Sequence, residues 1–432
     1  MNANEMQGFG LNMLNRFASS HWPDTLKVRK SFEKLLYTGS RTGFQLAGAV
    51  ARQFSKSSTK LDATQRLPAA AKGLFDLGLS DEQQMMRDTL QRFARDVLRP
   101  AAHAADHDAV FPAAIRTQAL ELGLNFYAVP EALGGMAAEQ SVVSNVLMAE
   151  DLAYGDFTLA ASILAPMGVA NALTRWGTQA QQEKYLPAFA EEIPPAATFA
   201  LSEATPAFNP LQLKTTARSE GSGYVLNGEK TLVLIARAAE LFLVAAQLDG
   251  KAAVFIVEGG SPGLSFLEDP AMGLKAAETM KLRLENVRAE KLGDADFDYQ
   301  AFLDLGALGW CALAVGTCQS VLDYVATYAN DRIAFGEPIS HRQSVAFMIA
   351  DMAIETDAMR IMVWRAAALA EAGKPFHREA YLARLLCGEK AMKTGNDGVQ
   401  ILGGHGFTKE HPAERWYRDL RSVAVMHSGL HV

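Results

Sequence analysis

The sequence predicts a mainly α-helical protein with a central β-domain, on three observations. From Leu79 to about Phe189, apolar residues recur at the three- and four-residue spacing of amphipathic helices. From Ala196 to about Leu284 the chain alternates apolar with polar residues and turns often. From Phe302 onward it returns to long apolar segments at helical spacing, which side by side imply a bundle. The resulting division is an N-terminal extension 1–78, a helical domain 79–195, a β-domain 196–300 and a helical bundle 301–432. A chain of 432 residues, 49% hydrophobic and 21% charged, can bury a core of two or three layers or subdomains.

The extension comes first. Phe9, Leu11, Met13, Leu14 and Phe17 form one amphipathic pattern; Phe32, Leu35, Leu36, Phe44, Leu46, Val50 and Phe54 form a second. Residues 1–60 hold nine Lys/Arg against Glu5, Asp24 and Glu33, a net +6; the overall −7 leaves −13 for the remainder. An acidic body of that size argues against nucleic acid as a partner. The basic head reads either as a surface helix pair for anionic lipid or an acidic partner, or as extra helices packed on the acidic body. Gly39, Gly43 and Gly48 favour packing, because glycine weakens a lone surface helix. Ser55–Lys60 and Leu67–Gly73 read as linkers.

Cys311, Cys318 and Cys387 are too few for a disulfide framework, and none forms a C-x-x-C pair, so a reducing compartment without structural zinc is expected. Cys311 and Cys318, seven apart, read as core packing. No run of 18 apolar residues predicts a spanning helix, and no basic leader with an apolar block predicts a signal peptide. The expected location is cytoplasmic, with peripheral membrane contact through residues 1–60 as the head's alternative role.

Ser80-Asp81-Glu82-Gln83 offers an N-cap with its capping-box partner, and Met85, Met86, Leu90, Phe93 and Val97 carry a helix up to Pro100. Further helices are expected over Gln118–Leu122, Val142–Leu152 and Gln179–Phe189, with a turn at Pro130–Gly135. In the β-domain, Val225–Lys230 reads as a strand entering an Asn-Gly hairpin turn. Phe242–Ala246 and Val254–Val257 read as buried strands, and Met280–Leu284 as a half-buried one. The bundle helices are expected at Phe302–Asn330, Gln343–Ala372 and Arg378–Gln400.

Gln400-Ile-Leu-Gly403-Gly404-His-Gly-Phe407, then Arg418-Asp419-Leu-Arg421, close the chain. Arg332-Ile-Ala-Phe335-Gly336 and Gln343 lie about 70 residues earlier. Backbone N–H groups of a glycine-rich turn, an amide and an arginine are what an anionic pyrophosphate needs. Each feature alone has a plain alternative: Arg332 as a solvated helix end, the glycines as a helix C-cap. Together and in this order they resemble the acyl-CoA dehydrogenase family. The likeness runs from Leu79 to Val432 and includes Pro130-Glu131 with Gly134-Gly135.

The resemblance implies that family's fold: helical domain, barrel-like β-domain, C-terminal four-helix bundle. It implies FAD, with Arg332, Phe335, Gln343, Gln400, Gly403 and Gly404 at a pyrophosphate site shared between subunits, hence a homo-oligomer. It also implies an acyl-CoA substrate, α,β-dehydrogenation, and an electron-transfer flavoprotein as the outlet. Ser202-Glu203 matches the start of the loop that lines flavin and substrate. Further along, Ala207 replaces a glycine and Phe208 a serine, and Leu232-Val233-Leu234-Ile235 stands where the family has an aromatic and a hydroxyl beside the ring.

The base departs most. Eight residues after Asp419, where the family has a glutamate, stands His427. The alternative glutamate position on the first bundle helix is Gly306, followed by Ala307 where many members have arginine; Asp304 is retained. A neutral imidazole can act as a general base, but its reach differs from that of a carboxylate. Three functions follow: a dehydrogenase-like flavoenzyme, slow or altered at its base; a non-catalytic paralogue that binds acyl-CoA or scaffolds a partner; or an enzyme of this fold acting without redox chemistry.

Overall fold

The computed structural model describes residues 78–137, 140–221, 223–426 and 431–432; the expectations placed on residues 1–77, and His427 itself, lie outside them. Helix α1, Asp81–Phe93, starts on the expected capping box: Ser80 Oγ accepts from Gln83 N at 3.1 Å and Gln83 Oε1 accepts from Ser80 N at 3.0 Å. The helix does not stop at Pro100. Ala94–Leu98 form one wide π turn, in which the N–H of Arg99 reaches the Ala94 carbonyl, and α2, Arg99–Asp108, continues through the proline. Pro100 has no N–H to donate, and the wider turn absorbs the missing bond without a break.

Four helices complete this part: α3, Ala113–Leu120; α4, Val142–Gly155; α5, Phe157–Trp176; and α6, Gln179–Phe189. Helix α5 has no counterpart in the sequence reading. It is buried on nearly every side, so it carries no amphipathic period to read. Its start is set by Asp156, whose carboxylate accepts from Leu159 N at 3.0 Å.

The β-domain is a barrel. Strands β2 (Thr216–Glu220), β3 (Gly223–Val233), β7 (Met280–Lys291), β5 (Lys251–Glu258) and β4 (Leu241–Leu248) pair in that circular order. Strand β1 (Ala197–Ala200) adds to β4 in parallel, and β6 (Leu264–Glu268) to β7. Alternation sorts the side chains: Phe242, Val244, Phe255, Val257, Leu282 and Leu284 fill the barrel, while Leu241, Leu243, Val254 and Ile256 join the helical core. The Asn227-Gly228 pair is not a hairpin turn. It lies inside β3, beside a register shift against β7. Gly228 is needed there for another reason: its φ is +148°, and a Cβ would lie 2.6 Å from Thr215 Oγ1.

Three long helices follow: α7, Tyr299–Asp331; α8, Gln343–Glu371; and α9, His377–Leu402. A two-residue hairpin, Ile333–Ala334 with Glu337–Pro338, links the first two. The short helices Gly404–Phe407, Ala413–Leu420 and Ser422–Val425 come last. Helix α7 is the axis of the fold and packs on α4, α8 and α9. Gly316 permits the close approach to α4, since a Cβ there would sit 1.9 Å from the Glu150 carbonyl oxygen. Helices α5 and α7 are long and apolar enough to cross a membrane by composition, and most of each is buried in the protein's own core. All three cysteines are buried free thiols, as packing residues should be.

Candidate functional site

Ser202 leaves the end of β1 into a loop held by a buried ion pair. Lys230 Nζ lies 2.7 Å from Glu203 Oε1, with both side chains almost fully buried, and also donates to the Leu201 carbonyl at 3.0 Å. Glu203 accepts further from Lys214 N at 2.7 Å and Thr215 N at 2.9 Å. Burial raises the carboxyl, but Lys230 and these two amides outweigh it and hold Glu203 below the usual range. Burial pulls Lys230 down to about 8 against the opposing pull of Glu203. The loop is thus fixed to β3 by charge and by backbone: Thr231 N donates to Ser202 O at 2.9 Å.

Next to this loop the backbone is strained. Leu232 (φ 54°), Ile235 (φ 44°) and Ala207 (φ 51°) occupy the left-handed region, which a β-branched residue such as Ile235 rarely enters. Asp269 pins the bulge at Leu232, accepting from Thr231 Oγ1 at 2.5 Å and Leu232 N at 2.8 Å. Leu234 is buried and Leu232 half-buried. A flat ring could pack on these aliphatics, but the nearby Thr231 hydroxyl is already engaged by Asp269.

The other motif residues gather at the far end of the bundle. Arg332 caps the C-terminus of α7. One turn back, Tyr328 Oη sits 3.0 Å from His405 Nδ1, so Arg332 lies at the same end as Gly403 and Gly404. His405 stacks on His411 at 5.2 Å, and His411 meets Tyr324 Oη at 2.6 Å. Gly403 does cap α9, with φ 60°, and space around both glycines is open. Gln343 opens α8. Arg332, Phe335, Gln343, Gln400, Gly403 and Gly404 are all exposed, Phe335 to 96%. The Gly403 N–H is taken up by the Gln400 carbonyl at 3.1 Å, so an unobstructed glycine turn, two side-chain amides and a cation are what this end offers a pyrophosphate.

These two groups do not meet within one chain. The Ser202 loop touches the start of α7, where Tyr299 Oη donates to the Pro210 carbonyl at 2.9 Å. Arg332 is at the end of the same helix, on the order of 50 Å away for 33 residues. No dinucleotide bridges that length, so a cofactor touching both kinds of residue needs two chains. The bundle also exposes apolar side chains: Phe347, Ile354 and Ile361 recur every seven residues on α8, and Tyr381 and Leu385 are exposed on α9.

Near Ser202 the structure adds a feature that the sequence reading missed. Trp176 at the end of α5, Phe199 on β1 and Phe302 on α7 enclose the ring of His431 at centroid distances of 5.1, 5.1 and 4.2 Å. Phe297 and Tyr299 back this wall. Five aromatics from three distant segments converge, and only Phe297, Tyr299 and Phe302 are close enough in sequence to have given a signal.

Of the two base positions, the one on α7 falls among the described residues. Gly306 and Ala307 are buried in α7. Asp304 is bonded to His377 at 2.8 Å and to Gln300 at 3.1 Å; burial raises its carboxyl despite these partners. The Arg418-Asp419 run is a structural clasp. Arg418 pairs with Asp106 through two bonds of 2.8 and 2.7 Å, and Asp419 accepts from Leu274 N at 2.9 Å. Burial, with Asp156 adding repulsion, lifts Asp419 to about 7.

Comparison with known proteins matches all three parts of this architecture. Residues 80–192, 198–287 and 298–427 match, in order, the acyl-CoA dehydrogenase N-terminal, middle and C-terminal domains. The chain is 34% identical over 364 residues to the mitochondrial short-chain specific acyl-CoA dehydrogenase of Bos taurus, covering 80% of this chain and 87% of the relative. Butyryl-CoA dehydrogenase from Megasphaera elsdenii superposes with a TM-score of 0.75 at 29% identity, over 82% of this chain and 96% of the other. The FAD complex of PigA does so with a TM-score of 0.75 at 25% identity and the same coverage.

Proposed function

The chain belongs to the acyl-CoA dehydrogenase family, and from that premise we propose an FAD-dependent oxidoreductase that acts on an acyl-CoA thioester and is altered at its base. The observation that carries this is the exposed donor set at the end of the bundle: Arg332, Gln343, Gln400, Gly403 and Gly404. These residues would hold the FAD pyrophosphate of a neighbouring subunit, with Phe335 packing alongside. Ser202 and Leu232 would lie against the ring. FAD when bound takes up the β-hydrogen as hydride. The chain must supply the rest: a base at the α-carbon, a dry pocket and a fixed thioester.

The proton falls to the position of His427. The reading favoured here is that of a lost base, because the ring-facing strand carries aliphatics as well. A second reading, a non-catalytic binder of acyl-CoA, has its own support in the absence of a carboxylate at Gly306 and at His427 alike. A homo-oligomer is supported by the stripe of Phe347, Ile354 and Ile361. An electron-transfer flavoprotein would receive the electrons. A cytoplasmic location rests on the three free cysteines; contact of the basic residues 1–60 with anionic lipid rests on their charge, and co-sedimentation with acidic vesicles that falls with salt tests that contact.

The deciding experiment is FAD titration by calorimetry. Wild type should take up about one FAD per subunit. Arg332→Ala should keep its fold and lose about 1.5–3 kcal/mol of affinity, the worth of a charge-assisted contact. No FAD binding at tens of micromolar protein would remove this reading and leave the binder.

A further inference from the structure

The aromatic chamber beside Ser202 holds part of the protein itself. His431 is 3% exposed, and among the described residues neither ring nitrogen has a hydrogen-bond partner. Its backbone is anchored, since Asn171 Nδ2 donates to the His431 carbonyl at 3.0 Å. On the side of His431 and Val432 that faces α4 and α5, a void of only about 10 Å³ is left, bordered by Asn145, Ala149, Leu164, Met167 and Asn171. Buried polar atoms are nearly always paired, and two stranded on one side chain call for an explanation. The walls suit an apolar ring. Phe302 and Phe199 meet the imidazole edge to face, at 64° and 67°. A phenyl ring makes the same contacts with no nitrogen to strand, while a straight alkyl chain offers no ring edge. Strand β1 carries Phe199 and runs directly into Leu201 and Ser202, so the chamber adjoins the loop assigned to the cofactor ring.

We propose that this chamber receives a ring-bearing acyl group, such as an arylalkanoyl thioester, and that His431 is a built-in occupant which the ligand displaces. This rests on the reading of the chain as an acyl-CoA binder, and deepens it by naming the acyl class. Binding then exchanges one ring for another. The imidazole regains water at both nitrogens, and the aromatic walls stay covered. His431 thereby acts as a filter: a short straight chain that cannot cover the walls does not repay the loss of the occupant.

The test uses the full chain and two probes, 3-phenylpropionyl-CoA and butyryl-CoA. Diethyl pyrocarbonate labelling of His431, followed by mass spectrometry, should be weak in free protein and rise at least tenfold with saturating 3-phenylpropionyl-CoA. Calorimetry should give that thioester at least tenfold tighter binding than butyryl-CoA. His431→Ala should tighten it about tenfold further, and Phe302→Ala should weaken it. His431 that stays protected with the aryl thioester bound would overturn the proposal. So would equal or tighter binding of butyryl-CoA, or no binding of either probe. Neither readout needs flavin. An FAD-loaded protein that oxidises butyryl-CoA while His431 stays protected would sink the chamber and keep the family function. A protein that takes no FAD but passes both tests would do the reverse.

Discussion

Lys230→Met is the sharpest perturbation of the site's frame. Methionine keeps the length of the side chain and removes its charge. Glu203 would then keep the amides of Lys214 and Thr215 but lose a 2.7 Å ammonium partner in a place that excludes water. Removing one partner of a buried pair costs about 3–5 kcal/mol, because the other charge is left uncompensated. The compact unit Leu77–Val432 has an unfolding entropy that converts this to a fall of roughly 4–7 °C in Tm. Calorimetric melting measures it. Adding Glu203→Gln should recover part of the loss, since the neutral amide needs no counter-charge and its oxygen still accepts from the backbone. Glu203→Gln alone should cost less than Lys230→Met, because Lys230 sits near a pKa of 8 and can shed its proton at modest cost. A Lys230→Met protein melting within a degree of wild type would refute the argument that this pair holds the Ser202 loop.

Other expectations can be checked alongside. His427→Glu should raise acceptor reduction with an acyl-CoA substrate at least tenfold in FAD-loaded protein; an unchanged rate would show that the base is not what limits turnover. Burial, with Arg175 adding repulsion, lowers His431 to about 3, so its docked form is the neutral one. Docking is therefore unpenalised above about pH 6.5, and release should gain about tenfold per pH unit below it until about pH 3. A proton NMR signal absent from His431→Gln should accordingly show no ordinary midpoint near 6.5, and such a midpoint would contradict the docked state. Global melting is a poor substitute here, because Asp419, lifted to about 7, favours the fold increasingly as pH falls through that value. Ile354→Asp should dissociate the oligomer in light scattering, and an unchanged mass would exclude the α8 stripe as the interface.

The fold was legible wherever its period was. The bundle helices were readable to within a few residues, because long apolar runs framed by turn residues leave little choice. Helix α5 escaped for the opposite reason, being apolar on all faces. The short strands β1, β2 and β6 carry too few alternations to stand out. Asn227-Gly228 misled because the same dipeptide that favours a hairpin also suits a bulge, and what decides is the distant Thr215. Of the site, the residues in contiguous motifs could be read as a set from Arg332 to Gly404. Their exposure could not, nor could their separation from Ser202 by the length of α7. The chamber was invisible, since His431 meets Trp176, Phe199 and Phe302 only through tertiary packing.

The separation of Ser202 from Arg332 along one rigid helix has a further consequence. If the ring of a flavin rests on one chain and its phosphates on the next, subunit association and cofactor retention are a single equilibrium. Dilution would then act as a chelator does on a metalloprotein: each dissociating pair sheds half of its donors, and the colour would fade with falling protein concentration as well as with falling free FAD. By the same linkage, added FAD would tighten the assembly by the factor by which assembly tightens FAD. A cell making little of this protein would hold it colourless, and one making much would hold it charged, with no change in the supply of cofactor.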